Sequence, residues 1–99
     1  MPQWSFLSNH AKVLLCIAHD SGARLRDIGD QVGITERAAH RIVSELAQAG
    51  YLTRERRGRR MHYTIAHHLP LPDPPVRRQT IGELLEILTD PLPQTGGTT

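Results

Sequence analysis

Ninety-nine residues, 38% hydrophobic and only 4% aromatic, allow one domain with a mainly aliphatic core. One cysteine excludes an intrachain disulfide, and no apolar run reaches the ~18 residues that a membrane span requires. The formal charge of +2 is small, but its distribution is uneven. Residues 1–50 balance five cations (Lys12, Arg24, Arg26, Arg37, Arg41) against five anions (Asp20, Asp27, Asp30, Glu36, Glu45). Residues 51–65 hold five arginines against Glu55 alone, and residues 66–99 hold two cations against four anions. The positive field is therefore local, as a contact with phosphate requires.

In chain order, residues 1–8 form an arm whose Trp4, Phe6 and Leu7 predict packing onto a surface. Ser8 or Asn9 caps a helix that runs to about His19, with Ala11, Leu14, Leu15, Ile17 and Ala18 as its apolar face. Ser21-Gly22 ends it, with Gly22 in a left-handed position. Leu25 reads as a minimal strand, and Arg26 to Val32 as a short helix with Ile28 and Val32 on one face. Gly33 stops that helix, Ile34 plugs the turn and Thr35 caps the next helix, which Gly50 closes. Helix, glycine turn, helix at this spacing is a helix-turn-helix. In the second helix Ala39, Ile42, Val43, Leu46 and Ala49 face inward, while Glu36, Arg37, His40, Arg41 and Ser44 face outward.

Tyr51 to Arg57 reads as a strand, Gly58-Arg59-Arg60 as a tight turn and Met61 to Ile65 as the returning strand. Arginine outnumbers lysine eleven to one. Codon usage accounts for an overall excess, but not for five arginines around one turn, and arginine's planar fork of donors suits phosphate oxygens and guanine edges. Leu69 to Pro75 holds four prolines, an extended spacer that keeps the last helix away from the body. That helix begins either at Asp73, with Pro74 as its first residue, or at Thr80, where Thr80-Ile81-Gly82-Glu83 fits a capping box. Ile81, Leu84, Leu85 and Leu88 form its stripe and Pro91 ends it. The expected layout is arm 1–8, winged helix-turn-helix 9–66, proline linker 67–75, dimerisation helix 76–90 and disordered tail 91–99.

From about Asn9 to Ile65 the chain resembles the winged helix-turn-helix transcriptional regulators, the MarR-like group above all. The matching stretches are Leu25-Arg26-Asp27-Ile28, Gly33-Ile34-Thr35, Leu46-Ala47-Gln48-Ala49-Gly50-Tyr51-Leu52 and the wing Arg56-Arg57-Gly58-Arg59-Arg60-Met61-His62-Tyr63. The resemblance implies an α+β, mainly α fold: a three-helix core, a β-hairpin wing and here one further C-terminal helix. It also implies a homodimer that binds double-stranded DNA sequence-specifically, as repressor or activator, in the cytoplasm with the nucleoid. On that reading Thr35, Glu36, Arg37, His40, Arg41 and Ser44 meet the major groove. Arg57, Arg59, Arg60 and His62 set the wing on the backbone or in the minor groove. Ile81, Leu84, Leu85 and Leu88 join two copies. Full-length MarR proteins build an effector pocket from longer helices at both ends; a short arm and one short terminal helix do not lead one to expect such a pocket here, and any small-molecule effector is unknown. Gly29 replaces the usual alanine, which should weaken its helix by up to ~1 kcal/mol.

Other chemistries find little support. The six histidines show no ligand spacing on one helix face; His67-His68 point to different sides, and no metal or other cofactor is expected. Cys16, among Leu14, Leu15 and Ile17, reads as a small hydrophobe instead of a redox sensor. No glycine-rich phosphate loop or acid/base pair suggests an enzyme. The rival reading is a winged-helix module that uses the same face for protein or RNA contacts.

Overall fold

The computed structural model describes residues 3–89. Its elements are α1 (Asn9–His19), α2 (Leu25–Val32), α3 (Glu36–Gln48), β1 (Leu52–Arg57), β2 (Arg60–Ile65), a 3₁₀ turn (Pro74–Val76) and α4 (Ile81–Thr89). This is the expected α+β winged helix with a C-terminal helix. The expectations for Pro91 and for the 91–99 tail lie outside the described residues.

Ser8 caps α1 by accepting the Ala11 N–H at 3.2 Å, and Val13, Leu14 and Ile17 enter the core. The helix ends at an extended Asp20, whose carboxylate accepts the Gly22 N–H at 3.0 Å. Gly22 is not left-handed as expected; that role belongs to Gly33, Gly50 and Gly58. Its use is close packing instead, since a Cβ there would lie 3.3 Å from His62 Cε1. Leu25 is likewise not a strand. The Ile28 N–H donates to the Arg24 carbonyl at 2.9 Å and so draws Leu25 into the first turn of α2, leaving a two-stranded sheet.

The turn between α2 and α3 is tied to one carbonyl: the N–H groups of Gly33 and Ile34 both donate to Gly29, at 2.8 and 2.9 Å. Gly33, at φ 87°, supplies the reversal. A Cβ on Gly29 would lie 2.8 Å from the Ile34 carbonyl oxygen and 3.2 Å from that of Thr35. Gly29 is therefore no defect in the helix, and the expectation of a simple weakening is corrected: the turn backbone occupies the space a methyl would need.

Thr35 Oγ1 caps α3 by accepting the Ala38 N–H at 3.0 Å. Thr35→Ala is expected to lower stability by about 1 kcal/mol and Thr35→Ser by much less, read from urea melts; equal losses would remove the cap from the account. Ala39, Ile42, Val43 and Leu46 are buried, but Ala49 is exposed and half-buried Ala47 packs in its place. Ala49 has left the helix register at its C-cap. There the Gly50 N–H bonds Ala47 and the Tyr51 N–H bonds Leu46, with Gly50 at φ 90°.

β1 and β2 pair antiparallel from Leu52↔Ile65 to Arg57↔Arg60, around a two-residue Gly58-Arg59 turn with Gly58 at φ 62°. Leu52, Tyr63 and Ile65 join the helical core.

The proline segment does not hold the last helix away. The Leu71 N–H donates to Gln79 at 2.9 Å and the Ile81 N–H to Leu69 at 2.8 Å, which closes residues 70–80 into a loop with Leu71 buried. α4 starts at Ile81, not at 76. Thr80 and Glu83 form the capping box, with Thr80 N–H to Glu83 Oε1 at 2.8 Å and Glu83 N–H to Thr80 Oγ1 at 3.1 Å. The alternative start near Asp73 is only the 3₁₀ turn. α4 then folds back on α1, burying Ile81 and Leu85 in the same core as Val13 and Ile17. The Gly82 N–H bonds the His67 carbonyl at 2.9 Å, and a Cβ on Gly82 would lie 2.9 Å from that oxygen. Two of the four expected dimerisation residues are thus core. Leu84 is half-buried; Leu88, 41% exposed, and its neighbour Ile87, 76% exposed, face out.

Candidate nucleic-acid interface

α3 presents Glu36, Arg37, His40 and Arg41 on its exposed side, with Ser44 half-buried behind them. Thr35 is exposed, but its hydroxyl is engaged as the cap. Arg41 is drawn along the helix to Glu45, 3.3 Å away, and His10 Nε2 on α1 lies 2.7 Å from the other Glu45 oxygen. The His10 hydrogen bond, with the Arg41 charge beside it, holds the Glu45 carboxyl below the ordinary carboxylate range. Arg37, a turn nearer the N-terminus, and His40, next to Arg41, have no such partner among the described residues.

The wing divides its arginines by strand alternation. Buried Leu52 sets the phase of β1, so Arg54 and Arg56 turn toward α3, opposite Tyr63 and Met61 on β2. Arg57 has the other phase and is paired with Glu55 at 3.1 Å. Burial pushes the Tyr63 hydroxyl up from its usual pKa, and the nearby Arg54 charge works against that shift. Arg60 donates to the Gly22 carbonyl, and the Tyr63 N–H bonds the Ser21 carbonyl at 2.9 Å. The segment before α2 is thereby fastened to the edge of β2. His62, half-buried over Gly22, belongs to this fastening.

A cleft of about 510 Å³ results between α2, α3 and the wing. Arg24, Arg26, Arg54, Arg56, Arg59 and Arg60 line it, with His40 and one carboxylate, Glu36. Of the expected site residues it gathers Glu36, His40, Arg59 and Arg60, and leaves out Arg57, His62, Arg37, Arg41, Ser44 and Thr35. Sequence reasoning missed Arg24, Arg26, Arg54 and Arg56. Counting by twos from Leu52 would have found the strand pair, whereas Arg24 and Arg26 are brought in by the packing of α2.

Residues 7–56, which run from the arm through α3 into β1, match the IclR helix-turn-helix domain. The chain belongs to the IclR helix-turn-helix domain family. It is a DNA-binding domain of the transcription-regulating kind. The match returns the IclR type where the motifs resemble the MarR-like group. Within the IclR-type helix-turn-helix, α2 and α3 are its two helices, while β2 and α4 lie beyond the matched residues. No curated protein matches the chain.

Elsewhere, Cys16 is half-buried and burial pushes its thiol up, the reverse of what a redox sensor needs. Among the described residues no three His, Cys, Asp or Glu side chains are grouped to hold a metal ion, and no helix is long and apolar enough to cross a membrane. The surface that the arm is expected to pack on is not this domain's own core, since Trp4 and Phe6 stay outside it. They meet edge to face at 4.9 Å and stay 63% and 91% exposed.

Proposed function

We propose that this chain regulates transcription as a homodimer that reads duplex DNA sequence-specifically. The N-terminal half of α3 enters the major groove, where Arg37, His40 and Arg41 reach base edges or flanking phosphates, with Thr35, Glu36 and Ser44 beside them. The wing tip, Arg59 with Arg57, Arg60 and His62 behind it, rests on the backbone or in the minor groove. The observation that carries this reading is the placement of α3 beside an arginine wing, with His40 in the cleft between them and Arg37 and Arg41 exposed on the same helix. The Arg60–Gly22 contact ties the wing to the segment before α2, which supports a single docking pose. The MarR-like stretches around Leu46–Leu52 and the wing support the same two-fold mode.

Of the expected dimer stripe, Leu88 and half-buried Leu84 stay outside the core, and exposed Ile87 joins them as the contact between copies. The exposed Trp4–Phe6 pair is a further apolar surface of this kind. On this reading the protein works in the cytoplasm with the nucleoid.

Selection of bound duplexes from a random pool tests the reading. The expected product is a palindromic consensus with half-sites about ten base pairs apart. If a dimer neutralises about eight phosphates, log K against log salt falls with a slope near −7. Recovery of no motif, or tighter binding to single-stranded RNA, would remove the regulator reading in favour of the rival module.

A further inference from the structure

We propose that the cleft between α2, α3 and the wing is a site for a run of consecutive phosphates, held by Arg24, Arg26, Arg54, Arg56 and Arg59. Three separate segments bring these guanidinium groups together: the start of α2, strand β1 and the wing turn. None of the five pairs with a carboxylate among the described residues, where the ion pairs engage only Arg41, Arg57 and His10. Glu36 is the one anion in the lining. Arg60 is not counted, because one arm of its guanidinium is anchored on the Gly22 carbonyl.

Five unpaired cations facing one concavity repel one another, and Glu36 alone does not relieve them. A polyanion does. Planar forks of donors suit phosphate oxygens, which they take two at a time. The spacing selects a series over a single group. Arg54 and Arg56 stand two residues apart on one face of a strand, ~6.6 Å at the usual rise. That step is comparable with the distance between successive phosphates along a nucleic-acid strand. Half-buried Leu25 and Met61 floor the cleft with apolar surface, which keeps the arginine heads at its rim.

The same chemistry has two sources, the backbone of duplex DNA and a free polyphosphate. Duplex backbone is the favoured source, and in that respect the site rests on the DNA reading of this face.

The test compares Arg54→Gln/Arg56→Gln with a control of equal charge change, Arg77→Gln/Arg78→Gln, exposed on the 70–80 loop outside the cleft. Circular dichroism melts confirm that both variants fold. Inorganic tripolyphosphate is titrated by calorimetry, and a non-specific duplex by fluorescence anisotropy across a salt series. In the strand variant tripolyphosphate binding should weaken ~10-fold or more, the loss expected for charge-assisted bonds. The duplex salt slope should become shallower by about 1.8 per chain, two phosphate contacts' worth. The loop control should change neither.

Equal losses in the two variants would overturn the site, because total charge would then explain the binding. So would an unchanged strand variant, even if duplex selection yields a motif; the DNA reading would then stand without this cleft. Loss toward duplex alone supports backbone phosphate as the source. Loss toward tripolyphosphate alone supports the phosphate site and removes the DNA reading of this face.

Discussion

Gly29→Ala should destabilise the domain, although alanine is the better helix former. By propensity alone the change would add up to ~1 kcal/mol to α2. The methyl, however, would stand 2.8 Å from the Ile34 carbonyl oxygen, which is backbone and cannot turn aside as a flexible side chain does. That carbonyl lies between the two N–H groups that Gly29 fastens and the Thr35 cap of α3. Relieving the contact means prising the turn from α2. Overpacking of this kind costs ~1–3 kcal/mol, so after the propensity gain the net expectation is a loss of about 1 kcal/mol. In a domain of this size that is roughly 4–8 °C in melting temperature. Asp30→Ala, one residue on and exposed, provides the comparison, since it gains propensity without meeting the turn. A higher melting temperature for Gly29→Ala than for the unmodified chain would show that the turn yields, and the close approach would lose its meaning.

Leu85→Ala should have the largest effect. Leu85 is 3% exposed and joins α4 to α1 in the common core. Truncating a buried leucine costs ~2–5 kcal/mol, according to how far the site collapses. Small domains hold only ~5–15 kcal/mol in all, so a large fraction of the stability should go. The loss should appear in urea melts at every protein concentration, because the contact lies within one chain. Ile87→Ala, at a position 76% exposed, should leave the melting midpoint of the monomer unchanged and shift the monomer–dimer balance in sedimentation. If Leu85→Ala proved harmless and Ile87→Ala unfolded the chain, the fold-back of α4 would be refuted.

The parts of this fold that were legible in the sequence are those set by neighbours in the chain. Gly33 with Thr35, Gly50 after α3, the Gly58 turn and the Thr80–Glu83 box each fix a boundary through hydrogen bonds spanning a few residues. What was not legible depends on partners far along the chain. Nothing around Gly22 announces that His62 will cover it, and nothing around Gly29 announces the Ile34 carbonyl. The stripe Ile81, Leu84, Leu85, Leu88 shows that α4 must cover something; whether that is its own α1 or a second copy depends on how the proline loop closes. The site divides in the same way. The exposed side of α3 was readable from its period. The wing is readable as basic; which of its arginines share the cleft follows only from the phase that buried Leu52 sets, with Arg54 and Arg56 inside it and Arg57 on the other face beside Glu55.

The packing of α4 on α1 also dictates an order of assembly. The turn between α2 and α3 and the β1–β2 hairpin close over short stretches of chain, whereas Ile17 must wait for Leu85. Loop closure across that distance comes late, after the nearer contacts have formed. During synthesis every arginine of the concave face is therefore in place while the groove over Ile17 is still bare. A ribosome that stops within the proline loop releases a chain with its positive surface intact and its apolar seam open, a species prone to aggregate before it can regulate anything.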